Sequence, residues 1–367
     1  MKHTVILLGT SHPHIFHRFT YLHERSDTIQ LLGYYDHDTR VSEQMKNHAC
    51  CPRYTSLTSL TSLPYDIALI HGRDAENPDY IHHAITSGAK GIFVEKPGAA
   101  QPHVFYPLVP QIRERAIVFE VGWELHYLRT VEFARRVVRD ALLGPLTEAR
   151  FHGGCPGGAG DEPWQSDPGS VGGFFYSLGG HVVEAVVDFF GLPEQVVASI
   201  RKLPVRAPHE GFSWVPELFS GRQVDPEKTV GRLVHEDIAS AILEYGHFNV
   251  HLDFTAWEPS AYLRDWSIDI YGVGGSLHLN LDGSGSSLVL KQPMEEWKAG
   301  RNGLFTGEYK EGEMLSAAFT KQMDSFLQRV EAGRMDGDCC NDTVAVKLLK
   351  LYDALYESAR TRRWISL

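Results

Sequence analysis

Cysteine is scarce in this chain, and its placement excludes two common uses. Of the five cysteines, Cys50 and Cys51 are adjacent, Cys339 and Cys340 are adjacent, and Cys155 stands alone. That pattern fits neither a disulfide framework nor a zinc spacing such as C-x-x-C. Positive charge is also short: 35 Lys and Arg stand against 46 Asp and Glu, for a formal net charge of −11. A nucleic acid or an anionic membrane would need a basic face, so neither is expected as a partner. No apolar run approaches the roughly 20 residues of a membrane-spanning helix. The opening MKHTVILLGTSHPH has only a short apolar stretch and no small-residue cleavage site, so it does not read as a signal peptide. A reducing cytoplasm is the expected location.

What is present is ordinary globular material, 43% hydrophobic and 22% charged, in a chain long enough for two domains. Up to about residue 122, short apolar runs alternate with helical stretches. The runs are Thr4–Leu8, Ile29–Tyr35, Asp66–Ile70, Ala89–Val94 and Ala116–Val121, and Pro78–Ser87 is a helix closed by Gly88. Nearly continuous apolar runs suit parallel strands buried on both faces, and the alternation predicts a doubly wound Rossmann α/β domain over 1–122. A helix follows over His126–Leu143, stopped by Gly144-Pro145. Then come a Gly-rich stretch at His152–Gly160, a Val-rich helix ending at Gly191, and a series of β-rich runs. These are Val196–Lys202, Ser240–Tyr245, Phe248–Thr255, Trp266–Tyr271 and Ser276–Leu279. Several follow one another without an intervening helix, so the second domain, 123–340, is expected to be α+β with a mostly antiparallel sheet. Residues 204–231 read as a long loop, and helices cover 315–332 and 341–360, with 341–367 packing back on the earlier domains.

The first strand runs into Gly9-Thr10-Ser11-His12-Pro13-His14, where a nucleotide fold needs a tight turn and then a helix whose free N–H groups face a pyrophosphate. Gly9 can make the turn and Pro13 suits the first helical turn. A complete G-x-G-x-x-G is lacking, because Ser11 and His14 replace the second and third glycines. His12, His14 and His17 read as solvated or phosphate-facing. Asp36, at the end of the second strand, can accept from adenosine ribose hydroxyls and repels a 2′-phosphate, which favours NAD over NADP; the alternative is a turn-forming aspartate. Glu95-Lys96-Pro97 follows the apolar run Gly91–Val94. A lysine there points into the crevice where such sheets bind ligands, and Pro97 restricts Lys96 to extended conformations or makes the bond cis.

Glu95-Lys96-Pro97, preceded by Ala84-Ile85 and Gly88-Ala89-Lys90, resembles the EKP segment of the glucose–fructose oxidoreductase/inositol dehydrogenase/MocA family. Gly172-Gly173-Phe174-Phe175-Tyr176-Ser177-Leu178-Gly179-Gly180-His181-Val182-Val183-Glu184 resembles its GGG-x-x-x-D-x-G-x-H-x-x-D segment. Leu142-Leu143-Gly144-Pro145-Leu146 and Tyr356-Glu357-Ser358-Ala359 resemble its G-x-I-G and Y-x-S-A helix ends. The resemblance implies a Rossmann domain, a second domain with a large open sheet, and an active site between them where Lys96 and His181 flank the substrate carbon and the nicotinamide. Taking hydride from a C–H bond requires the attached hydroxyl to lose its proton. Lysine is a poor base at its usual pKa of about 10.4, but burial beside the cationic nicotinamide lowers it. The expected cofactor set is Gly9, Thr10, Ser11, His12, Asp36, His71, Asn77, Glu95 and Lys96, with Ser177, His126, Tyr127 and Trp164 assisting at the substrate.

There are departures from the family pattern. Ser177 stands in place of the aspartate, Val171 in place of the first glycine, His126 in place of an arginine, and Glu184 for the second acid. Ser177 cannot hold a proton near neutral pH, so either His181 is the sole acid–base or a carboxylate such as Asp161, Glu162 or Asp167 reaches in. Trp164 either stacks on a sugar or packs at a loop base. His181 with Glu184, and His235-Glu236-Asp237, have spacings too loose to predict a metal. The expected function is an NAD(P)-dependent oxidoreductase acting on a secondary alcohol of a sugar, inositol or related polyol, as a homodimer or homotetramer. The alternatives are a hydrolase or lyase that cycles bound NAD, and a non-catalytic cofactor-binding sensor or regulator.

Overall fold

The computed structural model describes residues 2–154, 164, 167, 169–202, 236–255, 262–294, 296–307 and 310–367. The chain divides into two compact units. The first comprises Met1–Trp123, Asp161–Gly172 and Phe319–Val346; the second comprises Glu124–Gly160, Gly173–Ala318 and Lys347–Leu367.

In the first unit, β1 (His3–Thr10), β2 (Ile29–Tyr35), β3 (Ile67–His71), β4 (Gly91–Glu95) and β5 (Val118–Gly122) form one parallel sheet in the order β2-β1-β3-β4-β5. Every residue of β3, β4 and β5 is buried, which is why these strands read as continuous apolar runs. Val5, Leu7, Ile67, Leu69 and Phe93 meet Met323, Phe326 and Val330 of the Glu311–Ala332 helix in the core. The chain passes from β1 to β2 on one side and to β3 on the other. The switch point therefore lies between β1 and β3, with a crevice outside their carboxyl ends.

Gly9 sits in that crevice floor at φ +75°, where the β1–β3 register slips between Leu8 and Thr10. A Cβ on Gly9 would lie 2.4 Å from Gly72 Cα, so a glycine is needed for conformation and for space. We expect Gly9→Ala to cost about 2–4 kcal/mol of stability. Urea unfolding followed by tryptophan fluorescence measures this, and an unchanged midpoint would contradict the close approach of the two turns.

In the second unit, β6 (Leu146–Gly154), β7 (Gln195–Arg201), β8 (Ile238–Glu244), β9 (Asn249–Thr255), β10 (Ser267–Gly272), β11 (Gly275–Asn280), β12 (Ser287–Leu290), β13 (Gly300–Gly303) and β14 (Ile365–Ser366) form a nine-stranded sheet. Its order is β13-β12-β11-β10-β6-β9-β8-β7-β14. The β6–β9 pair is parallel and the other pairs are antiparallel.

Three expectations are corrected. The helix read over His126–Leu143 begins only at Arg129 and ends at Arg139, because Leu128 is extended (ψ 135°); His126 lies on the preceding 3-10 turn, Glu124–Tyr127. The Gly-rich stretch starting at His152 opens with the end of β6, whose buried Ala149, Phe151 and Gly153 alternate along the strand. The compact units also divide the chain differently from the expected 1–122, 123–340 and 341–367, with Asp161–Gly172 and Phe319–Val346 grouped with the first unit. The reason for the latter is the apolar stripe of Met323, Phe326 and Val330, which completes the Rossmann core. The 204–231 stretch, with Asp161, Glu162 and His235, lies outside the described residues.

Candidate active site

At the carboxyl ends of β1, β3 and β4 the first unit buries a cluster of ionisable side chains. Glu95 ends β4 and is wholly buried. Its Oε1 lies 2.9 Å from His14 Nδ1, and its Oε2 lies 3.7 Å from both Arg18 and His71. Arg18, also wholly buried, donates to Gln322 Oε1 (2.7 Å) and His71 Nε2 (3.3 Å) and stacks over Phe93 at 4.4 Å. Burial pushes His71 down to about 3 and holds His12 and His14 well below the usual imidazole range. At neutral pH these imidazoles are uncharged, so Arg18 is the countercharge of Glu95. His12 is buried and His14 half-buried beside Glu95.

Lys96 follows with a cis bond to Pro97 and is also buried. Its backbone N–H donates to Glu95 Oε1 (3.2 Å), while its ammonium forms no hydrogen bond or ion pair among the described residues. A cationic side chain without a partner on a buried residue is a feature that clusters where ligands bind. Two further groups are left in the same condition. Asn77, wholly buried at the start of the Asn77–Thr86 helix, has no partner for either amide atom among the described residues. Asp74, on the β3 loop, accepts from Gly172 N–H (3.3 Å) through Oδ2 and has no partner for Oδ1. Burial pushes Asp74 up to about 7, against the pull of Lys96.

Asp36 binds the β1 turn. Its Oδ2 accepts from Thr10 N–H (2.5 Å), Thr10 Oγ1 (3.1 Å) and Ser11 Oγ (3.1 Å), and its Oδ1 from Asp38 N–H (2.8 Å). The turn-forming role is therefore real, and one lone pair of Oδ1 is left for a further donor. Trp164 is buried and donates its indole N–H to Ser11 O (3.1 Å), with its ring 6.3 Å from His12. That makes it a packed wall of the turn.

In the second unit His181 occupies the first turn of the Gly180–Phe190 helix, buried, with its ring 6.1 Å from Trp266. The carboxylate that approaches it is Glu124, at 3.5 Å. Asp167, by contrast, accepts from Ser170 Oγ (2.5 Å) within the first unit. Ser177 ends the short Phe174–Ser177 helix, half-buried, and its hydroxyl bonds no other described residue. Glu184 holds His126, with Oε1 2.9 Å from Nδ1. Asp188 is pushed up by burial and by Glu184, and takes Arg135 at 2.6 Å. Tyr127 is buried with its ring 5.0 Å from that of His126. A cavity of about 10 Å³, space for one water, is lined by His126, His181, Glu184 and Trp266 among others.

Arg18, Asp74 and Glu124 were missed from the sequence. Arg18 shares a helical face with Ile15, Phe19 and Leu22, a periodicity that marks it as buried. Glu124 lies two residues beyond β5, the same kind of strand-end position that marks Lys96. Asp74 carries no pattern signal.

Residues 140–367 match the family model for the C-terminal alpha/beta domain of the Gfo/Idh/MocA oxidoreductases. No curated protein sequence matches the chain significantly. Among solved structures, GenD2 from gentamicin A biosynthesis in complex with NAD is 18% identical, with a TM-score of 0.76 over 100% of this chain and 96% of its own. The WlbA dehydrogenase from Bordetella pertussis, in complex with NADH and UDP-GlcNAcA, is 15% identical, with a TM-score of 0.75 over 100% and 98%. A putative myo-inositol dehydrogenase from Sinorhizobium meliloti is 17% identical, with a TM-score of 0.73 over 100% and 99%. At such identities the likeness to solved structures speaks for the fold, whereas the family model spans more than half of the chain. This chain belongs to the Gfo/Idh/MocA oxidoreductase family.

Proposed function

We propose that this oxidoreductase uses NAD(H) to move a hydride to or from a secondary alcohol carbon of a sugar, inositol or related polyol. The observation that carries this reading is Lys96, a buried residue directly after β4 whose side-chain nitrogen has no hydrogen bond or ion pair among the described residues. The first unit fits a dinucleotide in three ways. Gly9 and Gly72 make a floor with no room for side chains. The unpartnered amide of Asn77 awaits a polar ligand. The Asp36 carboxylate keeps one acceptor site for a ribose hydroxyl and would repel a 2′-phosphate, which favours NAD over NADP. Thr10, Ser11 and His12 line the same turn, and Glu95 fixes the backbone of Lys96.

The bound nicotinamide would supply the hydride acceptor or donor. Lys96, as the neutral amine, would take the hydroxyl proton, and His181, which Glu124 approaches at 3.5 Å, is the second candidate acid–base group. Ser177, His126 and Tyr127 would orient the remaining hydroxyls. The substrate class draws support from relatives of the same fold, one solved with UDP-GlcNAcA and one described as a putative myo-inositol dehydrogenase. The test is NADH and NADPH titration followed by a panel of inositols, aldoses and UDP-sugars with NAD+. Tighter binding of NADH than NADPH, with NADH formed from at least one polyol, is expected. Absence of nucleotide binding would end the proposal.

A further inference from the structure

Ser177 and His181 lie close together on one short segment of the second unit, and distant residues of that unit hold the segment in place. Its first turn is the Phe174–Ser177 helix, entered from Gly173 at φ +134°. Gly173 has no side chain to cap that turn, so its leading N–H groups need an acceptor from elsewhere. Glu236, two residues before β8, supplies one. Its Oε1 accepts from Phe175 N–H at 2.9 Å and, at longer range, from Tyr176 N–H at 3.4 Å. The same oxygen accepts from Tyr356 O–H at 2.6 Å. Burial and the Glu236 carboxylate push the Tyr356 phenol well above its usual range, so it stays a donor. Tyr352, one turn earlier on the Asp342–Thr361 helix, donates to Phe175 O at 3.0 Å. The turn is thus anchored at both the N–H and the C=O of Phe175.

Little slack separates this anchor from the two polar side chains. Ser177 N–H donates to Gly173 O (2.9 Å), Leu178 N–H to Phe174 O (2.9 Å) and His181 N–H to Leu178 O (3.3 Å). Gly179 lies so near the turn that a Cβ there would meet Phe175 O at 2.6 Å. A Cβ on Gly173 would in turn lie 2.5 Å from Glu236 Oε1. A close-packed turn passes a displacement along rather than absorbing it.

We propose that Glu236 is the positioning residue that sets where Ser177 and His181 stand toward the substrate. This rests on the dehydrogenase reading of the same site, in which those two groups meet the substrate. The part of Glu236 is geometric: it accepts hydrogen bonds and moves no proton. Three donors occupy its Oε1, so within the His235-Glu236-Asp237 run Glu236 serves this turn rather than a metal. Tyr356, from the Tyr356-Glu357-Ser358-Ala359 run, is the second half of the same anchor.

Three substitutions separate geometry from charge. Glu236→Gln keeps an oxygen that can accept from both N–H groups and from Tyr356, without the charge. Glu236→Asp keeps the charge but is one methylene too short to reach. Glu236→Ala removes both. The first readout needs no substrate. In apoprotein carrying 13C-labelled histidine, NMR follows the His181 ring signal, assigned by its loss in His181→Asn. The Trp266 ring 6.1 Å away makes that signal sensitive to displacement. It should move in Glu236→Ala and Glu236→Asp and stay in place in Glu236→Gln. With any polyol that turns over, the alanine and aspartate variants should lower kcat/KM by roughly 10², with KM raised and NADH affinity unchanged. Glu236→Gln should stay near wild type. Loss of folded protein alone would lower the apparent kcat and leave KM untouched. Where Glu236→Ala fails to fold, Glu236→Asp and Tyr356→Phe carry the test, the latter with smaller changes of the same kind. A His181 signal unmoved in the alanine and aspartate variants, or a glutamine variant as slow as alanine, would overturn the proposal. If the His181 signal behaves as stated and no polyol reacts, the positioning role stands and the dehydrogenase reading fails.

Discussion

Lys96→Ala is expected to lower kcat by roughly 10²–10⁴ while leaving NADH affinity nearly unchanged. Hydride cannot leave the carbinol carbon unless the hydroxyl proton leaves with it, and Lys96, a buried residue at the strand end, is the group proposed to take that proton. Removing the amine removes that transfer. The floor at Gly9 and Gly72 and the carboxylate of Asp36 are separate from it, so cofactor affinity should persist. Lys96→Arg separates charge from basicity. It keeps a cation in place, but a guanidinium does not give up a proton at any working pH, so it should be nearly as slow as alanine. Added methylamine, small enough for the space left in Lys96→Ala, should return part of the rate. Steady-state kinetics and NADH fluorescence titration on the same preparations check all of this. Wild-type turnover by Lys96→Ala would remove Lys96 from the chemistry and leave the family assignment untouched.

What the sequence made legible was what local chemistry announces. Of the apolar runs that became β1 to β5, β3, β4 and β5 are buried throughout and so carry no competing pattern. The EKP lysine stands out because a charged residue directly after such a run has few structural excuses. Less was legible wherever a side chain answers to a partner far along the chain. Nothing beside Glu95 tells that Arg18 balances it, or that Arg18 is in turn held by Gln322 on a helix more than 300 residues away. Asp36 read as a ribose acceptor, yet most of its lone pairs are spent on Thr10, Ser11 and Asp38, because a buried carboxylate draws every nearby donor. Trp164 offered two readings, and the fold ties its indole N–H to the carbonyl of Ser11, more than 150 residues earlier. The search for a carboxylate to replace the missing aspartate looked just upstream of the motif. The structure supplies Glu124 beside His181 from a turn more than 50 residues earlier, a pairing that only the tertiary fold brings about.

The same long-range logic makes the ion pair between Glu120 and Arg329 the most sensitive structural point of the first unit. Glu120 lies in β5 and Arg329 on the Glu311–Ala332 helix, and both are buried and hydrogen-bonded to each other. Arg329 also lies 5.7 Å over Phe326, itself part of the core. Burying two charges gains little over an apolar pair, but removing one partner strands the other in a low-dielectric interior, at a cost of about 3–5 kcal/mol. Arg329→Met should therefore destabilise by that amount, through the Glu120 carboxylate it leaves behind. Glu120→Leu combined with Arg329→Met should be markedly more stable than either single variant, since it leaves no charge to desolvate. Urea unfolding of the three variants, read as a double-mutant cycle, measures the difference. Additive losses in the double variant would mean that the helix is held by its apolar stripe alone. A recovered double variant would show that this pair fixes where the helix docks rather than how strongly, which is the role expected of a charge pair set beside Met323, Phe326 and Val330 in an otherwise apolar seam.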